Sequence, residues 1–225
     1  MRTHPKFFIL IPFIFFLSGI AAAGEIEYAE VLNVVGSAEV LTPPNLTWKP
    51  LQKNTILGKG SKIRTEERSS VEIGFDANFE NAARLGENSR LSLLGELPFK
   101  VLLGKGELFI FCEYPIHHNA LRILTKDALI QLKLGGCAVI ASGKGTLIKV
   151  FTDRVQVSNL KHHRPGFESR IIEEGFRFLV SAASPRAAFR RMTYADYADW
   201  QVWIRNLYER KDDRMAELLE KEFSP

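Results

Sequence analysis

The chain lacks an excess of charge of either sign. Its 225 residues include 30 Lys and Arg against 26 Asp and Glu. Without Arg2 and Lys6, which lie in a separate N-terminal segment, 28 basic residues face 26 acidic ones, a balance of +2. Footprints for nucleic acids and anionic membranes need clustered basic residues. This balance therefore predicts no nucleic-acid partner and no charged membrane surface.

The sequence also lacks a catalytic signature. It has no Gly-x-Ser-x-Gly motif, and no other motif indicates a Ser, Cys or Thr nucleophile beside a His and an orienting third group. The glycine pairs at 58–60 and 104–106 do not fit a phosphate-binding loop, so we predict turns there. Glu107 and Glu113 are candidates for a glycosidase acid pair, but sequence gives no carboxylate separation. We predict a non-enzymatic protein without a cofactor; the alternative is a secreted carbohydrate- or metal-dependent enzyme.

Metal-ligating residues are scarce as well. The one suggestive arrangement is two pairs of adjacent histidines, at 117–118 and 162–163. Imidazole is the commonest transition-metal ligand, but neighbouring side chains on an extended chain point in opposite directions. A four-ligand site would need both loops to meet and a further carboxylate or thiolate. We therefore predict no metal site.

One apolar run is present, and it stands at the N-terminus. Arg2 and Lys6 precede the apolar residues 7–20, and three alanines follow at 21–23. This is the layout of a secretory signal peptide, so we predict cleavage after residue 23 and a periplasmic or secreted mature chain. The alternative is an uncleaved anchor, because the run is near the length limit of a membrane span. Membrane contact is expected only in that second case.

Cys112 and Cys137 are the two cysteines of the chain. In an exported protein, an even count favours a disulfide between them. The alternative is two separate buried thiols that behave as small apolar side chains. Sequence alone does not show whether the two Cβ atoms meet, so both interpretations stand.

Most of the chain has the pattern of short half-buried strands. Val, Ile, Leu and Phe recur at every second position, and Gly, Asn and Ser separate the runs, as in residues 57–65, 70–75 and 83–93. Glu174 and Gly175 lie between two such runs and predict a hairpin. The pattern predicts an all-β fold, an antiparallel sandwich or flattened barrel of many short strands, over residues 24–183.

The pattern changes at residues 184–225, for which we predict a helical extension. Ser184 and Pro185 have the character of a helix start. Farther on, an apolar face with helical spacing is formed by Tyr197, Trp200, Ile204, Leu207 and Tyr208. Such a stripe usually faces the protein's own core. Off that stripe, or beyond the charged residues 210–214, the candidates for a partner contact are Trp203, Met215, Leu218 and Leu219.

Several short motifs follow one another in a fixed order along the chain. They are Val35-Gly-Ser-Ala-Glu-Val40, Trp48-Lys-Pro-Leu51, Leu57-x-x-Gly60-x-x-Ile63-x-Thr65, Asn88-Ser89-x-Leu91, Leu103-Gly-Lys-Gly-Glu-Leu-Phe109, Ile123-x-Thr125 and Val155-x-Val157. In this order of motifs, the chain resembles the FecR-type periplasmic domain. The resemblance implies an exported domain that binds a protein or cell-envelope component and relays an envelope signal. Ser61, Gly136-Cys137 and Asp153-Arg154 depart from the usual family residues. Only six residues precede the apolar run, where the full regulator has a cytoplasmic anti-sigma segment, so a direct anti-sigma role does not follow.

Overall fold

The structure, a computed structural model, describes residues 29–45, 47–76, 79–95, 100–114, 120–160, 169–181 and 188–223, with side chains up to residue 216. These residues form 17 β-strands and one α-helix. The first nine strands are β1 (Ala29–Val35), β2 (Ala38–Leu41), β3 (Lys49–Pro50), β4 (Ile56–Leu57), β5 (Lys62–Thr65), β6 (Ser70–Gly74), β7 (Asn81–Leu85), β8 (Arg90–Leu93) and β9 (Lys100–Cys112). The remaining elements are β10 (Leu121–Leu124), β11 (Ala128–Leu132), β12 (Gly135–Ser142), β13 (Gly145–Thr152), β14 (Arg154–Asn159), β15 (Arg170–Glu173), β16 (Phe176–Val180), β17 (Ala188–Arg191) and α1 (Tyr194–Phe223).

The strands form two open sheets that share strand β9. Sheet A has the order β4-β1-β6-β7-β9-β12-β13-β16-β17. Sheet B has the order β3-β2-β5-β8-β9-β10-β11-β14-β15. The all-β prediction is confirmed as a sandwich and not a closed barrel, because both sheets end in edge strands among the described residues. The pairing of β9 with β10 is parallel, whereas the other pairings of these residues are antiparallel.

Strand β9 corrects one prediction. We expected a turn at residues 104–106, but one continuous strand of 13 residues runs through them. Its first part pairs with β8 and β10 in sheet B, and its second part pairs with β7 and β12 in sheet A. Gly106 has a φ of 94°, and a Cβ there would lie 1.9 Å from Ser89 Oγ. The glycine is therefore needed where the strand bends from one sheet into the other.

A residue with positive φ lies at many of the other points where the chain passes between the sheets. These residues are Gly36, Asn54, Gly60, Arg68, Asn88, Gly135, Asp153 and Gly175. At the last of them we predicted a hairpin, but β15 pairs with β14 in sheet B and β16 pairs with β13 in sheet A. The link Glu174-Gly175 thus joins the two layers. Gly135 and Gly136 begin strand β12.

The C-terminal extension begins differently from our prediction. Residues 182–187, which include the predicted helix start at Ser184 and Pro185, lie outside the described residues. Residues 188–191 form strand β17 against β16, and the ring of Phe189 stacks on Phe176 with centroids 4.6 Å apart. Sheet A therefore continues past residue 183, and the helix begins at Tyr194.

Alternation along the strands produces two hydrophobic layers. In β9, Leu108, Ile110 and Cys112 belong to the core between the sheets, whereas Phe109 and Phe111 face the opposite way. This second face of sheet A is covered by helix α1 through Trp200, Trp203 and Leu207. Because successive strand residues point to opposite faces, one strand supplies both layers. The molecule is layered as sheet B, sheet A and helix.

Helix α1 as the candidate functional site

The first turn of α1 is fixed by Asp196. Its Oδ2 accepts hydrogen bonds from the Thr193 backbone amide at 2.9 Å and from Thr193 Oγ1 at 3.0 Å, a capping arrangement at the helix start. Its Oδ1 lies 3.1 Å from Lys149 Nζ and 3.3 Å from Arg177 Nη1, on strands β13 and β16. Burial by itself raises the pKa of Asp196, but the Thr193 hydrogen bonds and Lys149 outweigh it and lower the pKa to about 2. The carboxylate therefore ties the helix to sheet A in its charged form.

The next two turns carry an aromatic cluster. The ring of Trp200 stacks on Phe151 at 4.5 Å with an interplanar angle of 10°, and it contacts Phe111 edge-on at 6.1 Å. Gly136 makes this position possible, because a Cβ there would lie 2.1 Å from the indole. Tyr197 and Ile204 pack against the same cluster. The predicted apolar face of the helix is thus a structural contact with sheet A.

Trp203 belongs to this cluster, which corrects its prediction as a partner contact. Its side chain is only 2% exposed, and its ring lies 5.3 Å from Trp200 and 6.0 Å from Phe109. The stripe on the helix is wider than the five residues we assigned to it. Residue 203 lies three positions after 200 and four before 207, so it shares their face.

Beyond residue 208 the contacts of α1 change from apolar to ionic. Arg210 Nη2 pairs with Glu72 on β6, and Lys211 Nζ pairs with Glu113 at the end of β9. Arg214 Nη2 lies 3.8 Å from Glu30 on β1, with its guanidinium 4.8 Å from the ring centre of Phe79. Arg210 and Glu72 lie 138 positions apart in the chain, so no local sequence signal indicated this pair. We call residues 210–216 the distal segment.

The position of the Glu72 carboxylate is unfavourable for a charge. Burial raises the pKa of Glu72 above its usual value, and the charges of Arg210 and Arg84 offset only part of that rise. The Nε atoms of Arg210 and Arg214 are buried without a hydrogen-bond partner among the described residues. Buried ion pairs often return less attraction than their desolvation costs. The ion pairs of the distal segment therefore hold it only weakly against sheet A.

A cavity of about 280 Å³ lies beneath the distal segment. Its lining includes Glu30, Leu32, Phe79, Arg210 and Arg214. The aromatic cluster fills the equivalent space at the start of the helix with ring stacks, whereas a cavity remains at this end. Close packing stabilises a contact, so the cavity is a second reason for weak attachment.

The distal segment presents Met215 to solvent. Its side chain is 51% exposed. This position is compatible with the predicted partner contact, which stays a prediction. The side chains of Leu218 and Leu219, the other predicted contacts, lie outside the described residues.

Cys112 and Cys137 are free and buried, so the structure corresponds to the alternative of two separate thiols. On paired strands β9 and β12, Cys137 faces Ile110 and Cys112 faces Gly135. The cysteines are thus diagonal neighbours, whose Cβ atoms lie about 7 Å apart in an antiparallel pair, whereas a disulfide needs about 4 Å. Burial raises the pKa of Cys137 to about 12 and that of Cys112 further. Both thiols are kept protonated and unreactive.

The other sequence candidates do not meet in a site. Glu107 lies in β9 and Glu113 directly after it, so six residues of extended chain separate them by about 20 Å, compared with roughly 5–9.5 Å in glycosidases. The histidines at 117–118 and 162–163 lie outside the described residues. Within the described ranges, no group of three or more His, Cys, Asp or Glu is placed to hold a metal ion. Across the same ranges, no helix has the length and apolarity to cross a bilayer.

The fold has a counterpart among solved structures. Two crystal structures of a "putative anti-sigma factor" from Parabacteroides distasonis ATCC 8503, at 2.50 Å and 1.65 Å, align with a TM-score of 0.51 and 12% identity. The alignment covers 62% of this chain, and the chain spans 63% and 64% of the length of those two structures. At this identity the likeness establishes a shared fold. No family model matches the chain. No curated protein matches it either.

Proposed function

We propose that this chain is a non-enzymatic, exported regulatory module of the FecR type. It binds a protein partner in the cell envelope and relays a signal. The fold shared with the Parabacteroides "putative anti-sigma factor" supports a regulatory role. The motif order of the sequence supports the FecR type, and the N-terminal apolar run supports export.

The observation that carries this proposal is the unequal attachment of helix α1. Trp200 and Leu207 are 5% and 0% exposed, so the first half of the helix is part of the fold. The distal segment rests on charged groups above a cavity and exposes Met215. Polar attachment over a poorly filled space permits exchange for another surface at little cost in stability. The distal segment is therefore the partner-binding part, and it signals by changing its contact with β1 and β6.

Site-specific photo-crosslinking in the native cell tests this proposal. A photoreactive phenylalanine analogue replaces Met215 in the full chain, and a matched analogue replaces Lys144, which is exposed in the turn between β12 and β13. We expect one defined protein adduct from position 215 and none from position 144. Deletion of residues 211–225 is expected to change envelope-stress transcripts while the protein level stays constant. Equal adducts at both positions, or unchanged transcripts, would contradict the proposal.

Export has its own test. N-terminal sequencing of the protein from the envelope fraction is expected to begin at Gly24, because residues 7–23 have the layout of a cleaved signal peptide. A chain that retains Met1 in washed membranes would support the uncleaved anchor instead. A chain that retains Met1 in the cytosol would remove the exported role altogether.

A further inference from the structure

The outer face of sheet B holds a second candidate site, far from helix α1. A shallow cavity of about 540 Å³ lies over strands β10, β11, β14 and β15. The helix covers the outer face of sheet A, and the main core separates the two sheets. A ligand in this cavity would therefore not touch the helix. We call the cavity the sheet B pocket.

Strand register places polar side chains across the floor of the sheet B pocket. Arg122 faces Gln131, Gln131 faces Gln156, and Gln156 faces Ile171 as successive Cα partners. All four line the pocket. Their strand neighbours, such as Ile123 and Ile130, point into the core. The row thus presents one guanidinium, two carboxamides and an apolar side chain that is 57% exposed.

Two further cations complete the pocket. Lys133 and Arg154 line it beside the row, and Asp153 lies 4.0 Å from Arg154 Nε. Gln156 Nε2 donates a hydrogen bond of 3.0 Å to Ser169 Oγ, which orients its amide. Three cations line the pocket against Asp153, and Glu173 lies opposite Arg154 on the neighbouring strand, so positive charge is still in excess there.

The rest of the face extends this potential. Lys62, Arg90 and Lys100 occupy outward positions on the neighbouring strands β5, β8 and β9. The outward carboxylates on these strands and their neighbours are Glu39, which pairs with Arg64, and Glu173, which is the register partner of Arg154. The small net charge of the whole chain therefore conceals one basic face. Alternation at every second residue of each strand is what gathers the cations there.

We propose that the sheet B pocket binds an anionic glycan. Arg122, Lys133 and Arg154 would bind its carboxylate or phosphate groups. The carboxamides of Gln131 and Gln156 both donate and accept hydrogen bonds, which suits sugar hydroxyls. The volume of about 540 Å³ is far larger than one phosphate ion, and exposed Ile171 offers a surface for the apolar face of a sugar ring.

The same features disfavour other polyanions. Nucleic-acid surfaces of this kind rely on aromatic side chains for base stacking, and none is found among the described residues that line the pocket. An acidic peptide binds a sheet mainly by pairing its backbone with a free edge. Strands β10, β11 and β14 are each paired on both sides, and the edge strand β15 contributes only Ile171 to the lining, so a ligand in the pocket meets mainly side chains. Side-chain recognition of hydroxyl and acidic groups fits a glycan.

Titration calorimetry on the full mature chain tests the proposal with tetragalacturonate as the anionic probe and cellotetraose as the neutral one. The double variant Arg122→Gln, Arg154→Gln is expected to weaken tetragalacturonate binding at least tenfold. The control is Lys62→Gln, Arg90→Gln, which removes the same charge from the same face but outside the pocket. It is expected to change the affinity less than twofold. Thermal melts of both variants confirm that they fold.

Two further arms separate a glycan from other anions. Gln131→Leu keeps every charge, so it is expected to weaken tetragalacturonate binding and leave any binding of inorganic phosphate unchanged. Three results would overturn the proposal. These are equal losses in the two double variants, tetragalacturonate binding that Gln131→Leu does not affect, and binding only to phosphatidylglycerol vesicles. The result does not depend on helix α1, so it can fail while the proposed regulatory role stands.

Discussion

The two halves of helix α1 lie on the same sheet but are attached to it by different interactions. The first half buries two tryptophans and places Asp196 between two cations and a capping residue, which lowers its pKa. The distal segment buries charges instead, and the pKa of its partner Glu72 is raised by that burial. A lowered carboxylate pKa marks a charge that the fold stabilises, and a raised one marks a charge that it tolerates. One end of the helix is thus structural, and the other is the end that we propose exchanges its contacts for a partner.

The face of sheet A beneath the helix explains why its two halves are attached by different interactions. Sheet A presents Phe109, Phe111 and Phe151 beneath the first half, where strands β9 and β13 lie. Beneath the distal segment it presents Glu30 and Glu72, on β1 and β6. The sheet face itself changes from aromatic to acidic along the path of the helix. The helix correspondingly carries aromatic residues in its first half and basic residues in the distal segment.

The largest effect is expected from Trp200→Ala. This change removes the ring that stacks on Phe151, so it should lower the free energy of unfolding by about 3–5 kcal/mol and the melting temperature by roughly 10 °C. Val202→Ala is the control, because Val202 is 55% exposed on the same helix and should change stability by less than about 0.5 kcal/mol. Thermal melts measure both. An unchanged melt for Trp200→Ala would mean that the first half of the helix is no more structural than the second.

A smaller effect is expected from Asp196→Asn. The pKa of about 2 is below the ordinary 3.8, so the charged carboxylate contributes stability above about pH 4, and this is lost as pH falls through about 2. The shift corresponds to about 2 kcal/mol, which the variant should lose at pH 7. Urea unfolding at pH 7 and at pH 2 measures the difference, which should shrink at the lower pH.

Asp212→Asn is the matched control for that change, because Asp212 is an exposed carboxylate on the same helix. We expect it to alter stability little at either pH. If both variants lose equally at pH 7, the loss would reflect the general charge of the helix and not the bonds to Thr193, Lys149 and Arg177.

The strands were predictable because their signal is local. Alternation predicted strands within residues 57–65, 70–75 and 83–93, where the structure has β5, β6 and β8, and the turn residues gave the gaps. The assignment of the strands to two sheets was harder to predict from the sequence. A glycine pair predicts a turn, yet one strand bends from sheet B to sheet A at Gly104 and Gly106. The residue that Gly106 closely approaches, Ser89, lies just before β8 in another part of the chain. Local pattern does not specify which sheet a strand joins.

The candidate sites were predictable only in part for the same reason. The aromatic face of the helix follows from the spacing of its residues. Trp203 was wrongly predicted as a partner contact because the apolar face that we assigned was too narrow. The Glu72–Arg210 pair and the sheet B pocket depend on residues from strands distant in the chain. A signal for the basic face around the pocket did exist in the alternate basic positions of β5, β8, β10 and β14. It was averaged away when charge was counted over the whole chain.

The smallest effect on stability is expected from removing residues 211–225. This deletion eliminates the pairs Lys211–Glu113 and Arg214–Glu30 but exposes both carboxylates to water, so little desolvation cost remains. Partly exposed ion pairs contribute about 0–1 kcal/mol, so the melting temperature should fall by only a few degrees. Partner crosslinking through a photoreactive group at Tyr208, which the deletion retains, should nevertheless be lost. A fall as large as that of Trp200→Ala would show that the distal segment is structural, and the distinction between the two halves of the helix would then fail.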